Sequence, residues 1–221
     1  MKKCGWKGIL GLKTYLPLML FLLLVMGCAV PVREAFQVDQ SRPVGSLQGD
    51  AFVGHRFPFK IKIPMGWQAA TKYPEFLVEQ GYGRESLKET PFFLFNPQTK
   101  SSMQVEFSPA GRTTRFNQEM IEALVQMSGK GFVSEVHEEH GKGTPIKLNK
   151  AVPIQLKGVP YAARMSASFS EKGAPREQGW IYAFAEPYQI FILYLITGEN
   201  NKFDQEALEQ ALSSFEYLGI Q

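Results

Sequence analysis

The 221-residue sequence contains few of the residues and motifs on which catalysis usually depends. It has two cysteines and three histidines, and it has no Gly-x-Ser-x-Gly, Gly-x-x-x-x-Gly-Lys or Gly-x-Gly-x-x-Gly pattern. No serine stands in a local pattern that marks it as the partner of a histidine. We therefore predict a protein that is not an enzyme, has no catalytic residues and uses no cofactor.

A strong charge of either sign is also missing. The formal net charge is +3, but residues 1–27 contain four lysines and no acidic residue, so the rest of the chain carries about −1. Proteins that bind nucleic acid neutralise phosphates with a clustered basic face. The near-neutral remainder therefore excludes nucleic acid as the main partner.

No apolar run is long enough to cross a membrane, although residues 15–26 are almost wholly apolar. Twelve helical residues extend about 18 Å, whereas the hydrocarbon core of a bilayer is about 30 Å thick. A lysine-rich start followed by a short apolar run is typical of an export signal. The alternative is an uncleaved signal anchor with an incidental cysteine behind it.

Residues 24–28, Leu-Val-Met-Gly-Cys, resemble the lipobox of bacterial lipoproteins. The resemblance implies cleavage between Gly27 and Cys28, diacylglycerol on the Cys28 thiol and an acyl chain on the new amine. Cys4 would leave with the signal, so the mature chain would form no internal disulfide. Three acyl chains would attach the protein permanently to the membrane. Ala29, which stands where aspartate retains lipoproteins in the inner membrane, implies the outer membrane if the cell has two membranes, and otherwise the cell membrane.

The composition divides the chain into three parts. Residues 1–27 are the predicted lipoprotein signal peptide. Residues 28–50 are the predicted lipidated cysteine and flexible tether, because they are rich in proline, glycine and serine and show no sustained period. Residues 51–221 are predicted to form one α+β domain.

Periodicity in the domain predicts strands first, then a helix, more strands and a closing helix. The strands are expected over 57–63, 92–95, 103–107, 132–138, 152–156, 161–169, 179–185 and 189–197, and the helices near 116–125 and 203–215. Gly129 and Gly131 are expected to stop the first helix, and Thr113 or Thr114 to cap its start. Short connections between the last four strands require antiparallel neighbours. Residues 191–196 are apolar on both faces, which predicts a central strand covered from both sides.

Three stretches of the domain are similar to the PsbP-like family, which includes the extrinsic photosystem II protein. They are residues 57–67, an opening strand that ends in Pro-x-Gly-Trp; residues 158–161, Gly-Val-Pro-Tyr, which lead into a meander; and the closing helix with Ser214-Phe215. Together they frame about 160 residues. The resemblance implies an α/β/α sandwich around a central antiparallel sheet and a docking role without catalysis.

One histidine cluster is a candidate metal site. His137 and His140 flank Glu138, but the spacing differs from the zinc-protease pattern His-Glu-x-x-His because the second histidine comes one residue early. On a strand the two imidazoles would point to opposite faces, whereas in a turn they could bind zinc or copper with Glu138 or Glu139. The alternative is a solvated, charged strand end.

Aromatic residues near charged loops are candidate docking residues, namely Trp67, Tyr82 and Phe92. The alternative is that they belong to the core. We therefore expect a membrane-anchored, non-catalytic binding or assembly factor of the cell envelope with a membrane-associated protein partner. The alternatives are a lipoprotein that binds a small ligand or metal and, third, an envelope hydrolase.

Overall fold

A computed structural model describes residues 38–79, 92–111, 115–171, 173–198 and 201–219. Within these ranges the helices are α1 (Glu75–Glu79), α2 (Gln118–His140) and α3 (Lys202–Ser214). The strands are β1 (Gly45–Gln48), β2 (Ala51–Gly54), β3 (Phe59–Lys62), β4 (Gln68–Ala70), β5 (Phe92–Phe95), β6 (Ser102–Pro109), β7 (Ile146–Leu148), β8 (Val152–Pro153), β9 (Tyr161–Glu171), β10 (Ala174–Ala185), β11 (Tyr188–Thr197) and β12 (Glu216–Tyr217).

The strands form two antiparallel sheets. The larger sheet has the order β4-β5-β6-β11-β10-β9-β7, and β8 also pairs with β9. The smaller sheet has the order β1-β2-β3-β12. In the central meander Trp180 of β10 pairs with Met165 of β9 on one side and with Leu193 of β11 on the other. The predicted antiparallel neighbours and the α+β class are confirmed.

One face of the larger sheet is closed by α3 and the smaller sheet together. Their side chains and those of alternate sheet residues form the main core, in which Phe59, Phe215 and Ile192 are fully buried. Aromatic rings dominate this layer, and the Phe59 ring lies 5.2 Å from that of Phe107 and 5.9 Å from that of Phe215. Since α2 lies on the opposite face, the predicted α/β/α layering is confirmed, with the small sheet sharing the layer of α3.

Helix α2 lies across β9 and β10 on the other face, and it corrects two predictions. Residues 132–138, predicted as a strand, are helical, and Gly129 and Gly131 do not end the helix. The apolar positions Val125, Gly129, Phe132 and Val136 continue one buried stripe with helical spacing. Burial of this stripe outweighs the cost of about 1 kcal/mol for each internal glycine.

Both ends of α2 are marked by residues with non-helical backbone angles. The Asn117 side chain accepts a hydrogen bond from the Met120 N–H at 2.8 Å, and Gly141 ends the helix with a φ of 94°. The predicted caps Thr113 and Thr114 lie outside the described residues. A cap at Asn117 places the first helical residue at Gln118.

The smaller sheet begins before residue 51, so the predicted tether is wrong over its described part. Strands β1 and β2 form a hairpin with Gln48 opposite Ala51, and Gly49 in the turn has a φ of 63°. Val38 and Val44 pack against the main core. A polar, glycine-rich composition therefore corresponds here to a tight turn and an edge strand, and residues 28–37 of the predicted tether lie outside the described residues.

Candidate functional site

An open groove lies on the α2 face of the larger sheet. Helix α2 covers β9 and β10, while α1 lies against β5, where the ring of Phe76 is 5.8 Å from that of Phe95. In the described part of the chain no helix lies over β6 and β11 between them on this face. The resulting groove has a volume of about 640 Å³.

Side chains from three neighbouring strands form the floor of the groove. They alternate with residues of the main core, so that Leu193 of β11 lies on the floor while Ile192 is fully buried on the other face. Phe191 and Leu193 give an apolar surface, and Gln104 of β6 and Gln178 of β10 add amide groups at its sides. The floor thus offers both apolar contact and hydrogen-bonding groups.

A hydroxyl group on the floor has no partner in the described structure. Ser102 begins β6, lies on the same face as Gln104 and is 8% exposed. No described residue makes a hydrogen bond with its side chain. Because Ser102 lines the groove, its hydroxyl is available to a molecule that enters the groove.

The wall contributed by α2 is acidic at its rim. Glu135 and Glu139 are four residues apart, both are exposed, and both line the groove beside Gly131 and His140. Glu171 at the end of β9 also lines the groove, but its Oε2 lies 3.2 Å from Arg176 Nε. Among the described residues that line the groove there is no lysine or arginine.

Strand β11, which forms part of the floor, is fixed by side-chain contacts on its other face. The Arg164 Nε–H donates to the Tyr194 hydroxyl at 2.7 Å, and the Arg164 guanidinium also pairs with Glu209 of α3. Burial raises the pKa of Tyr194, against the opposing effect of Arg164. The phenol therefore stays protonated at neutral pH, and the contact ties β11 to β9 and α3.

The structure does not bring the predicted metal ligands together. His137 and His140 both lie in the last turn of α2, with His137 Nε2 3.3 Å from the Thr144 carbonyl oxygen and His140 Nε2 3.7 Å from Glu139 Oε2. Glu138, the third predicted ligand, is exposed between them. In the described ranges no group of three histidine, cysteine, aspartate or glutamate side chains is placed to hold a metal ion.

The predicted docking residues are buried where the structure describes them. Phe92 has no exposed surface, and its ring packs 4.3 Å from that of Phe52. Trp67 is 6% exposed and belongs to the same core. The docking prediction is therefore wrong for both residues, because a docking residue must be accessible. Tyr82 lies outside the described residues.

The predicted cleavage and lipidation residues, Gly27 and Cys28, also lie outside the described residues. None of the helices within the described ranges is long and apolar enough to cross a membrane.

Sequence reasoning missed the residues that line the groove. Glu135 and Glu139 share a helical face, but that relation is hidden once residues 132–138 are interpreted as a strand. Leu193 has the same hydrophobicity as its buried neighbours, so nothing in the sequence marks it as part of an open surface. Recognition of the buried stripe that runs through Val125, Phe132 and Val136 would have revealed the acidic side of the helix.

Comparison with known proteins gives structural neighbours alone. No family model matches the chain, and no curated protein matches it. The solved structures that are similar include a cyanobacterial PsbP from Synechocystis, with 11% identity over 80% of this chain and 99% of that chain and a TM-score of 0.47. LpqN of Mycobacterium tuberculosis, described as involved in cell envelope biogenesis, has 11% identity over 81% of this chain and 88% of that chain, with a TM-score of 0.48. The Ran-binding protein Mog1p of Saccharomyces cerevisiae has 10% identity over 72% and 90%, with a TM-score of 0.41.

Proposed function

We propose that the protein is a lipid-anchored, non-catalytic binding or assembly factor of the cell envelope, and that it binds its partner in the groove between α1 and α2. The groove carries this proposal. Its volume is about 640 Å³, and its apolar floor and acidic rim are suited to the binding of another molecule. The anchor is supported by the lysine-rich start, the short apolar run and the sequence Leu-Val-Met-Gly-Cys that ends at Cys28.

The anchor is tested by cell fractionation of two cysteine variants. Cys28→Ser should release the protein from the membrane fraction, because it removes the thiol that would carry diacylglycerol. Cys4→Ser is the matched control and should leave the protein in the membrane, since Cys4 lies within the predicted signal. A Cys28→Ser protein that remains fully in the membrane fraction would contradict the anchor.

The binding role is tested by crosslinking in the native cells, followed by affinity capture and mass spectrometry. One dominant, stoichiometric membrane-associated partner is expected, and its yield should fall when the groove is filled by Gly131→Trp. The same yield of that partner from the Gly131→Trp protein would contradict the groove as the binding surface.

A small-ligand-binding lipoprotein is the second candidate, and it is favoured by the volume of the groove, which lies within the range of small-molecule sites. Native mass spectrometry of the full chain purified from its host distinguishes the two. A bound small molecule that Gly131→Trp abolishes would favour this second function, whereas a ligand-free chain with a protein partner would favour the first.

A further inference from the structure

The geometry points to the occupant of the groove: a polypeptide segment of the partner in which arginine or lysine residues accompany apolar ones. This inference rests on the proposed function and gives the class of partner surface that it needs. Charge, hydrogen-bonding capacity and apolar area in the groove each support it.

The charge of the rim favours a cationic ligand. Glu135 and Glu139 are exposed at the wall, and Glu135 makes no ion pair or hydrogen bond with the described residues. The described lining residues include no lysine or arginine, and the nearby Arg176 is already paired with Glu171. A ligand with a guanidinium or ammonium group therefore meets complementary charge, whereas an anionic ligand meets like charge.

Glu135 and Glu139 do not stabilise α2, the helix on which they lie. Glu139 lies in the last turn of α2, where the helix macrodipole disfavours acidic side chains, and Glu135 lies one turn before it on the same face. Glu139 lies 3.7 Å from His140, but that contact is exposed and contributes little to stability. The stability of α2 thus does not account for the acidic rim, whereas binding of a cation does.

The floor favours a polypeptide segment with apolar side chains between its charges. Phe191 and Leu193 are half-buried and offer apolar surface, and aromatic rings also attract cationic side chains. Ser102 lines the floor and makes no hydrogen bond through its side chain with the described residues, so its hydroxyl can bond to a main-chain amide group of the segment. A small amine would use the rim but would leave most of the floor uncovered.

The first test measures binding of two synthetic peptides to the purified full chain at low salt. The first peptide has seven residues and alternates arginine with leucine or phenylalanine, and the second replaces each arginine with glutamate. The arginine peptide should bind at least tenfold more tightly than the glutamate peptide, and its affinity should fall with added salt. Equal binding of the two peptides would overturn the inference.

Variants with matched controls locate the binding. Gly131 lines the groove, and a Cβ atom added there meets nothing within 4 Å, so Gly131→Trp starts its side chain in open space at the groove and removes no core contact. Gln126→Trp is the control, because Gln126 is exposed on the same helix and does not line the groove. Gly131→Trp should weaken binding of the arginine peptide at least tenfold, and Gln126→Trp less than twofold.

The charge is tested by Glu135→Lys and its control Glu138→Lys, which make the same change three residues apart on α2. Glu135→Lys should weaken binding at least tenfold and Glu138→Lys less than threefold, because Glu138 does not line the groove. Ser102→Ala should weaken binding severalfold without loss of fold. Equal effects of the two lysine variants would contradict a role for the acidic rim.

The outcomes separate this inference from the proposed function. If neither peptide binds while crosslinking in cells still captures a partner that Gly131→Trp loses, the basic segment is wrong and the binding groove stands. If a small alkylammonium compound binds as tightly as the arginine peptide, the occupant is a small amine and the peptide assignment is overturned. If Gly131→Trp changes neither peptide binding nor capture, both proposals fail.

Discussion

The two faces of the larger sheet are built from the same strands but end in different surfaces. On one face Ile190, Ile192 and Tyr194 of β11 are buried under α3 and the smaller sheet. On the other face Phe191 and Leu193, which alternate with them, are half-buried because α2 lies over β9 and β10. One face of the strand thus belongs to the core and the other to a groove. The difference comes from the position of a helix and not from the hydrophobicity of the strand.

The two faces also hold their carboxylates differently. Asp204 of α3 is fully buried, and its oxygens accept hydrogen bonds from the side chains of Asn96, Thr99 and Asn201 at 2.6–2.9 Å. Glu135 and Glu139 of α2 remain exposed at the rim of the groove. On the face covered by α3, the Asp204 carboxylate fixes the start of α3 against the β5–β6 turn. On the face with the groove, the carboxylates of Glu135 and Glu139 remain available to a ligand.

The sharpest test of the comparison removes one aromatic ring from each face. Phe59→Ala should lower the free energy of unfolding by about 3–5 kcal/mol, because it empties a fully enclosed site. Phe191→Ala should cost about 1–2 kcal/mol, since a half-buried ring loses less apolar contact. Urea denaturation followed by circular dichroism measures both values. Equal losses would show that the groove floor is packed as tightly as the core.

A second test follows the pH dependence of stability that the buried carboxylate of Asp204 causes. Burial raises the pKa of Asp204, but the hydrogen bonds from Ser101, Thr99, Asn96 and Asn201 outweigh it and hold the pKa below its ordinary value. The stabilising contribution of Asp204 is thus present above about pH 4 and is lost as the pH falls through the lowered pKa.

Asp204→Asn should lower the free energy of unfolding at pH 7 by about 2–3 kcal/mol, because its amide places a donor opposite other donors. Its stability should also change less between pH 5 and pH 2 than that of the original chain (a range of about three pH units around the ordinary pKa of aspartate). Denaturant titrations repeated across this range measure both effects, and an unaltered pH profile in Asp204→Asn would contradict the account.

The smallest expected effect is the difference in stability between alanine variants at two glycines of α2. A side chain at Gly131 meets nothing within 4 Å, so Gly131→Ala should stabilise the protein by up to about 1 kcal/mol through helix propensity. At Gly129 the added carbon would lie 3.0 Å from the Met165 sulfur and 3.1 Å from the Trp180 ring. Gly129→Ala should therefore be the less stable variant by about 1 kcal/mol or more. Thermal unfolding of the pair checks the order, and the reverse order would mean that α2 does not lie so close to β10.

Much of the sheet could be predicted from the sequence, because alternation and short connections are local signals. The strands near 92–95, 161–169 and 189–197 and the closing helix follow from them. The course of α2 could not be predicted in the same way, since Gly129 and Gly131 are poor helix formers and only contact with Trp180 and Met165 makes the helix continue. The Trp180 indole N–H donates to the Val125 carbonyl oxygen at 2.8 Å, a contact between residues 55 positions apart.

The sequence predicts the groove less well than it predicts the fold. The apolar run 191–196 predicts a central strand covered from both sides, and β11 is indeed central. The coverage is incomplete on the side of Phe191 and Leu193, because coverage depends on where α1 and α2 lie over the sheet. The sequence of a strand shows that both of its faces are apolar enough to be buried. The positions of the neighbouring helices determine how much of each face is actually buried.

The central claim, that the groove is the binding surface of a membrane-anchored protein, is tested most directly by site-specific photocrosslinking in the native cells. A benzophenone amino acid is placed at position 131, inside the groove, or at position 126, on the outer side of the same helix. The account predicts a discrete crosslinked species with a membrane-associated protein from position 131 and none from position 126. Crosslinks of equal yield and pattern from both positions, or from position 126 alone, would contradict it.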